Sequence, residues 1–177
     1  MTQSPRLPAR RARDASGIGA GSETTGAELD RVLELALSRK ARTVAIGSGR
    51  SPSGLEAVRR FAGRWEATGG TVLDIVTWPE EAASWLRQAT RFAAADPDLW
   101  IMTGSPLGWG QMTRRLLWST PWRPDHTIAF AVIGEPPTIG LVGPCNLTGL
   151  SGATVGGGTW TVRDGQIFSV ARTGDSR

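Results

Sequence analysis

Apolar runs alternating with helical periodicity constrain this chain more than any other feature. "RTVAIGS", "TVLDIVTW", "PDLWIMTG" and "PDHTIAFAVIG" each read as a strand, and three helical segments separate them. "SGLEAVRRFAGRWEATGG" places Leu55, Val58, Phe61, Ala62 and Trp65 on one helix face, and Gly69-Gly70 ends it. "PEEAASWLRQATRFAAAD" reads as a helix opened by Pro79 and by Glu80-Glu81 at its positive end. "PLGWGQMTRRLLWST" reads as a helix weakened by Gly108 and Gly110. A further helix, "GAELDRVLELALSRKA", precedes the first strand. Continuous apolar strands alternating with helices require a mainly parallel sheet covered on both faces, a three-layer αβα arrangement. Right-handed crossovers fix most of its topology.

The alternation stops after Gly134. "EPPTIGLVGPCNLTGLSGATVGGG" is rich in glycine and proline, with one short strand candidate at Thr138 to Val142. "TWTVRDGQIFSVA" then predicts a C-terminal β-hairpin turning at Asp164-Gly165. Residues 1–25 hold proline, glycine, serine and arginine without periodicity and read as a flexible basic tail. Residues 26–177 read as a single α/β domain, since 177 residues suffice for one real core and not for two.

The stretch "VAIGSGRSPSG" (Val44 to Gly54) invites comparison with phosphate and nucleophile loops, and its spelling excludes them. Gly49 and Gly54 have the spacing of a Walker A loop, but Leu55 and Glu56 stand where Lys and Ser or Thr belong. Pro52 takes the place of the third glycine of a dinucleotide fingerprint. Gly49-Arg50-Ser51-Pro52 runs into Ser53, so there is no nucleophile elbow. What remains is a strand-to-helix turn in which Ser51 caps the helix and Pro52 enters its first turn.

From Ala27 to about Trp118 the order of elements resembles one lobe of the type 1 periplasmic-binding fold, as in receptors for branched-chain amino acids. The carrying features are the strand, small-polar loop and helix at Val44–Gly54, then "GGTV", then "PDLWIMTG" with a glycine-containing helix start. "LTGLSGATVGGGTWTVRDGQI" is similar to the segment where such receptors close with a hairpin on Asp-Gly. A flavodoxin-like sheet shares much of this pattern. The resemblance implies ligand-contacting loops at the strand ends and recognition without catalysis. The family pairs two lobes in a chain about twice this long.

In open α/β sheets ligands lie beyond the carboxyl ends of the strands. That rule selects Ser48, Arg50 and Ser51 after the first strand, Trp78 after the second, Ser105 and Trp109 after the third, and Glu135 after the fourth. Serine hydroxyls, helix N-terminal amides and an arginine suit a carboxylate, and a tryptophan can stack on an apolar or cationic group. The expected function is therefore binding of a small polar ligand, carboxylate-bearing among the options, or of a partner protein at the same rim. The alternative is an enzyme acting on a phosphorylated small molecule at the opening loop.

Catalytic chemistry has little footing. His126 is the single histidine, and no serine on an exposed elbow accompanies it and Asp125. One histidine and one cysteine, Cys145, cannot close a metal site, and no cofactor is expected. The net charge of +4 comes almost wholly from arginine, four of them (Arg6, Arg10, Arg11, Arg13) in the tail. The pairs Arg59-Arg60 and Arg114-Arg115 read as solvated helix faces, so nucleic acid is not an expected partner. No apolar run reaches the roughly 20 residues of a membrane span, and the basic start lacks the apolar stretch of a secretory signal, so a cytoplasmic location is expected. A lone lobe is expected to self-associate or bind a protein, with Trp109, Trp118 and Trp122 marking a candidate patch and a homodimer among the outcomes.

Overall fold

The computed structural model describes residues 23–172. Most of the basic tail therefore lies outside the described residues. Its last two residues do not hang free. Thr25 caps helix α1 (Gly26–Ser38) by accepting from Glu28 N at 3.0 Å, and Thr24 O accepts from Arg60 at 2.8 Å.

Seven strands form one sheet in the order β2-β1-β3-β4-β5-β6-β7. They are β1 (Thr43–Gly49), β2 (Thr71–Trp78), β3 (Leu99–Met102), β4 (Thr127–Ala129), β5 (Ser151–Ala153), β6 (Thr159–Arg163) and β7 (Gln166–Val170). The first five pair in parallel, and β6 and β7 continue the sheet antiparallel. The hairpin turns at Asp164-Gly165, with Arg163 opposite Gln166. Asp164 and Gly165 both have positive φ, as a two-residue turn needs to match the strand twist.

Helices α1 and α2 (Pro52–Ala67) cover one face of the sheet, burying Leu29, Val32, Phe61 and Trp65 against Val44, Ile46 and Ile101. Helices α3 (Leu86–Ala94), α4 (Pro106–Ser119) and α5 (Pro136–Val142) cover the other with Phe92, Trp109, Met112 and Ile139. No helix of the described residues is long and apolar enough to cross a membrane.

Four elements differ from the sequence reading. The fourth strand is confined to Thr127–Ala129, because Pro124–His126 and Ala131–Ile133 on either side of it form single 3-10 turns. The segment 79–85 is not the start of α3, which begins only at Leu86. Trp85 sits at the cap with its indole N–H on Pro79 O at 2.9 Å, folding the segment into a loop. Thr138–Val142 is helical rather than extended. Pro136 and Pro137 supply the first turn of α5, and Gly143, at φ 96°, stops it. The strand β5 arises instead from Ser151-Gly152-Ala153, where no apolar periodicity announces it.

Candidate functional site

The crossovers leave β1 and β3 in opposite directions, one toward β2 and the other toward β4, so the crevice beyond Gly49 and Met102 is the topological switch point. Ser51 caps α2, accepting from Gly54 N at 3.2 Å, and Ser105 caps α4, accepting from Gly108 N at 3.3 Å. The two loops touch. A Cβ on Gly104 would lie 2.7 Å from Gly49 N, and Gly104 itself has φ +134°, so only glycine serves there.

Glu80 fills the crevice. Its carboxylate comes from the loop after β2 and reaches across to α4, where the Ser105 hydroxyl donates to Oε2. Two glycines make room for it. A Cβ on Gly49 would lie 2.6 Å from Oε1, and one on Gly108 would overlap Oε2 and lie 3.0 Å from the carboxyl carbon. The carboxylate thus stands at the positive end of the α4 dipole, linked to the Gly108 amide through the Ser105 hydroxyl. Oε1 is buried and has no hydrogen-bond partner among the described residues. The crevice thus holds a buried acceptor without a partner among the described residues, beside an anion position that the chain itself occupies.

The residues selected from sequence fall into three placements. Arg50, Ser51 and Ser105 lie at the crevice. Arg50 is exposed and makes no hydrogen bond or ion pair among the described residues. Ser48, Trp78 and Trp109 are fully buried. The Ser48 hydroxyl donates to Gly49 O at 2.7 Å and packs where a Gly54 side chain would stand. The Trp78 ring lies over Gly47, whose Cβ would sit 2.7 Å from it, so Gly47 clears a ring rather than bending the chain. Trp109 is core on α4. Glu135 is exposed at the start of the seven-residue α5 and makes no capping bond. The tryptophan patch is likewise absent, since Trp109 and Trp122 are core.

Glu80 escaped the sequence reading because its position after Pro79 suits a helix start equally well. The missed signal was Gly108, a glycine inside a helical pattern, which calls for a packing reason.

His126 lies at the opposite, amino end of the strands. It borders an open cleft of about 520 Å³ lined also by Arg39, Asp96, Asp98, Trp100 and Arg123. The charges there are largely engaged with one another. Asp98 accepts from the amides of Arg42 and Thr43 at 2.8 and 2.9 Å, which holds its carboxyl below the usual range. The Arg123 guanidinium does the same for Asp125. Burial pulls Arg39 down, while its guanidinium donates to Asp125 O and Ser151 Oγ. No group of three or more metal-binding side chains occurs among the described residues.

The fold defines an open α/β lobe, and solved structures of solute-binding proteins share it. A substrate-binding periplasmic protein from Ralstonia solanacearum superposes with a TM-score of 0.63 over 75% of this chain and 37% of its own, at 14% identity. A branched-chain amino acid ABC transporter periplasmic ligand-binding protein from Burkholderia xenovorans LB400 gives 0.59 over 72% and 34%, at 14% identity. An ABC transporter solute-binding protein from Rhodopseudomonas palustris HaA2, in complex with p-hydroxybenzoic acid, gives 0.54 over 71% and 34%, at 18% identity. The chain thus has the fold of one lobe of the type 1 periplasmic-binding proteins and spans about a third of the length of the structures it matches. No protein-family profile and no curated sequence matches it.

Proposed function

We propose that this lobe binds a small polar solute without catalysis, at the crevice between the β1 and β3 loops. One observation carries the reading: Glu80 Oε1, without a partner among the described residues, lies in the crevice that the Arg50 loop borders, and Arg50 is exposed and likewise unpaired among the described residues. The carboxylate accepts from a ligand hydroxyl or amine, and the guanidinium holds a ligand carboxylate. The solute class is a small carboxylic acid that also carries a hydrogen-bond donor. A hydroxybenzoate has both groups, and one structural neighbour holds that ligand.

The enzyme alternative fares worse on the same geometry. A phosphorylated substrate at the opening loop would meet the Glu80 charge, and His126 is at the other end of the sheet. A cytoplasmic location stays a proposal, to be checked by fractionation.

Calorimetry with 4-hydroxybenzoate and a panel of amino and hydroxy acids tests the reading. Arg50→Ala removes a charged hydrogen bond and weakens binding by roughly ten- to hundredfold, and Glu80→Gln alters selectivity between hydroxyl and amine ligands. Binding that ignores both substitutions would remove the crevice as the site.

A further inference from the structure

The strand β7 ends the sheet. Its two-residue turn makes Arg163 and Gln166 a hydrogen-bonded pair. Bonded and non-bonded pairs alternate along an antiparallel ladder, so Val162 and Ile167 form a non-bonded pair. The backbone of Val162 agrees: its N–H donates to Leu150 O at 2.8 Å and its C=O accepts from Gly149 N at 2.9 Å, both away from β7. By the same alternation Phe168 and Val170 bond to β6, while Ile167 and Ser169 turn their N–H and C=O outward. Among the described residues no other strand meets that edge.

Such an edge is ordinarily blunted by charge, proline or a bulge. The opposite edge follows the rule. β2 carries an irregularity between Val72 and Asp74, and Asp74 takes a forked pair of bonds from Arg91. β7 has neither charge nor proline in its five residues. Phe168 and Val170, two residues apart on one face, are 50% and 64% exposed.

We propose that β7 pairs antiparallel with β7 of a second copy across a two-fold axis, so that the sheet runs through the dimer. The register follows from backbone and charge. Centred on Phe168, it sets the outward groups of Ile167 against those of the second copy's Ser169, and the reverse. Phe168 then meets its own counterpart in a non-bonded pair, where side chains approach most closely. Asp164 and Arg172 stand four residues either side of Phe168, and both are exposed. Asp164 lies in the turn at one end of β7 and Arg172 just beyond the other end, so the two-fold brings each Asp164 end to the second copy's Arg172 end, where the long guanidinium side chain can reach the carboxylate in two complementary charge pairs. Among the described residues Arg172 is otherwise held by Glu34, at 3.7 Å. A shift of two residues keeps backbone bonds but loses both charge pairs. A ribbon this short buries less than the roughly 1,200–2,000 Å² of a tight interface, so the dimer is expected in the micromolar range.

Sedimentation equilibrium of the full chain from about 5 to 500 μM reads the association. The expected mass rises from 18.8 kDa toward twice that value. Ser169→Pro deletes an outward N–H without touching a bond to β6, and weakens the dimer at least about tenfold. In a Cys145→Ser background, Phe168→Cys forms a disulfide dimer on oxidation, whereas Ser169→Cys, which faces Ile167, does not. Asp164→Arg and Arg172→Asp each weaken association, and combined they restore it, which separates the interface from any loss of folding. A monomer throughout, a dimer indifferent to Ser169→Pro, or equal crosslinking at 168 and 169 would each overturn the proposal.

Discussion

Gly108→Ala isolates the contact on which the candidate site rests. Gly108 lies in the first turns of α4, and alanine in a helix is ordinarily worth about 0.5–1 kcal/mol over glycine. Here the new methyl overlaps Glu80 Oε2, the free end of a flexible side chain, and drives the carboxylate off Ser105. The lost charged hydrogen bond costs about 1.5–3 kcal/mol. The net effect in the wild type is a destabilisation of about 0.5–2.5 kcal/mol. With Glu80→Ala already in place, the same substitution meets empty space and stabilises by about 0.5–1 kcal/mol. Urea unfolding of the four proteins in this cycle gives the coupling, expected at about 1.5–3 kcal/mol with the slope m unchanged. Gly108→Ala stabilising equally in both backgrounds would show that Glu80 does not occupy the crevice in solution, and the acceptor assigned to the ligand would go with it.

Other substitutions test the frame that holds the crevice. Glu28 is buried on α1, where loss of water raises its carboxyl above the ordinary 4.5 while its Oε1 accepts from Ala131 N at 2.7 Å. A raised folded value means its contribution is intact below about 4.5 and is lost as pH rises through the folded value. Glu28→Gln keeps an acceptor without the charge, so its melting temperature should exceed wild type near neutral pH and converge with it below about pH 4.5. Asp98 has the opposite sign: its lowered carboxyl contributes above the ordinary 3.8 and loses its effect as pH falls through the folded value. Asp98→Ala should cost about 1 kcal/mol at neutral pH, discounted for its exposure, with the gap closing in acid titrations. Gly152→Ala drives a Cβ into Ala129 O and to 2.7 Å from the Trp160 ring, so a loss of about 3 kcal/mol or more is expected in denaturant melts.

Much of the fold was legible because it was written in period and punctuation. β2 runs from Thr71 to Trp78 as its apolar run indicated, and Ser51-Pro52 and Ser105-Pro106 cap and open their helices. The hairpin followed from Asp164-Gly165 alone. The region after Gly134 was harder, for a physical reason. Gly152 is in β5 because Ala129 O and Trp160 leave no room for a side chain, a condition set by strands distant in sequence. The candidate crevice was half legible. Strand ends pointed to Arg50, Ser51 and Ser105, but a tryptophan at a strand end can turn inward, and Trp78 does so because Gly47 opens a slot for it. Glu80 depends on two glycines from other segments and could not be placed from its neighbours.

The two proposed surfaces occupy different parts of one sheet. Four strand spacings separate β3 from β7, about 19 Å at the usual interstrand distance. The crevice opens beyond the carboxyl ends of β1 and β3, whereas the dimer contact runs along the side of β7. A rigid sheet joins them, and no described loop reaches from one to the other. Coupling between sites requires an element with two arrangements that both ligands bias, and the packed strands β3 to β6 offer none. Linkage is reciprocal, so absence of coupling must appear both ways. Ser169→Pro should leave solute affinity at the crevice unchanged, and a saturating solute should leave the dimer constant unchanged. A shift in either would mean that β7 and the crevice share a mobile element, and the loop carrying Glu80 would be the first place to seek it.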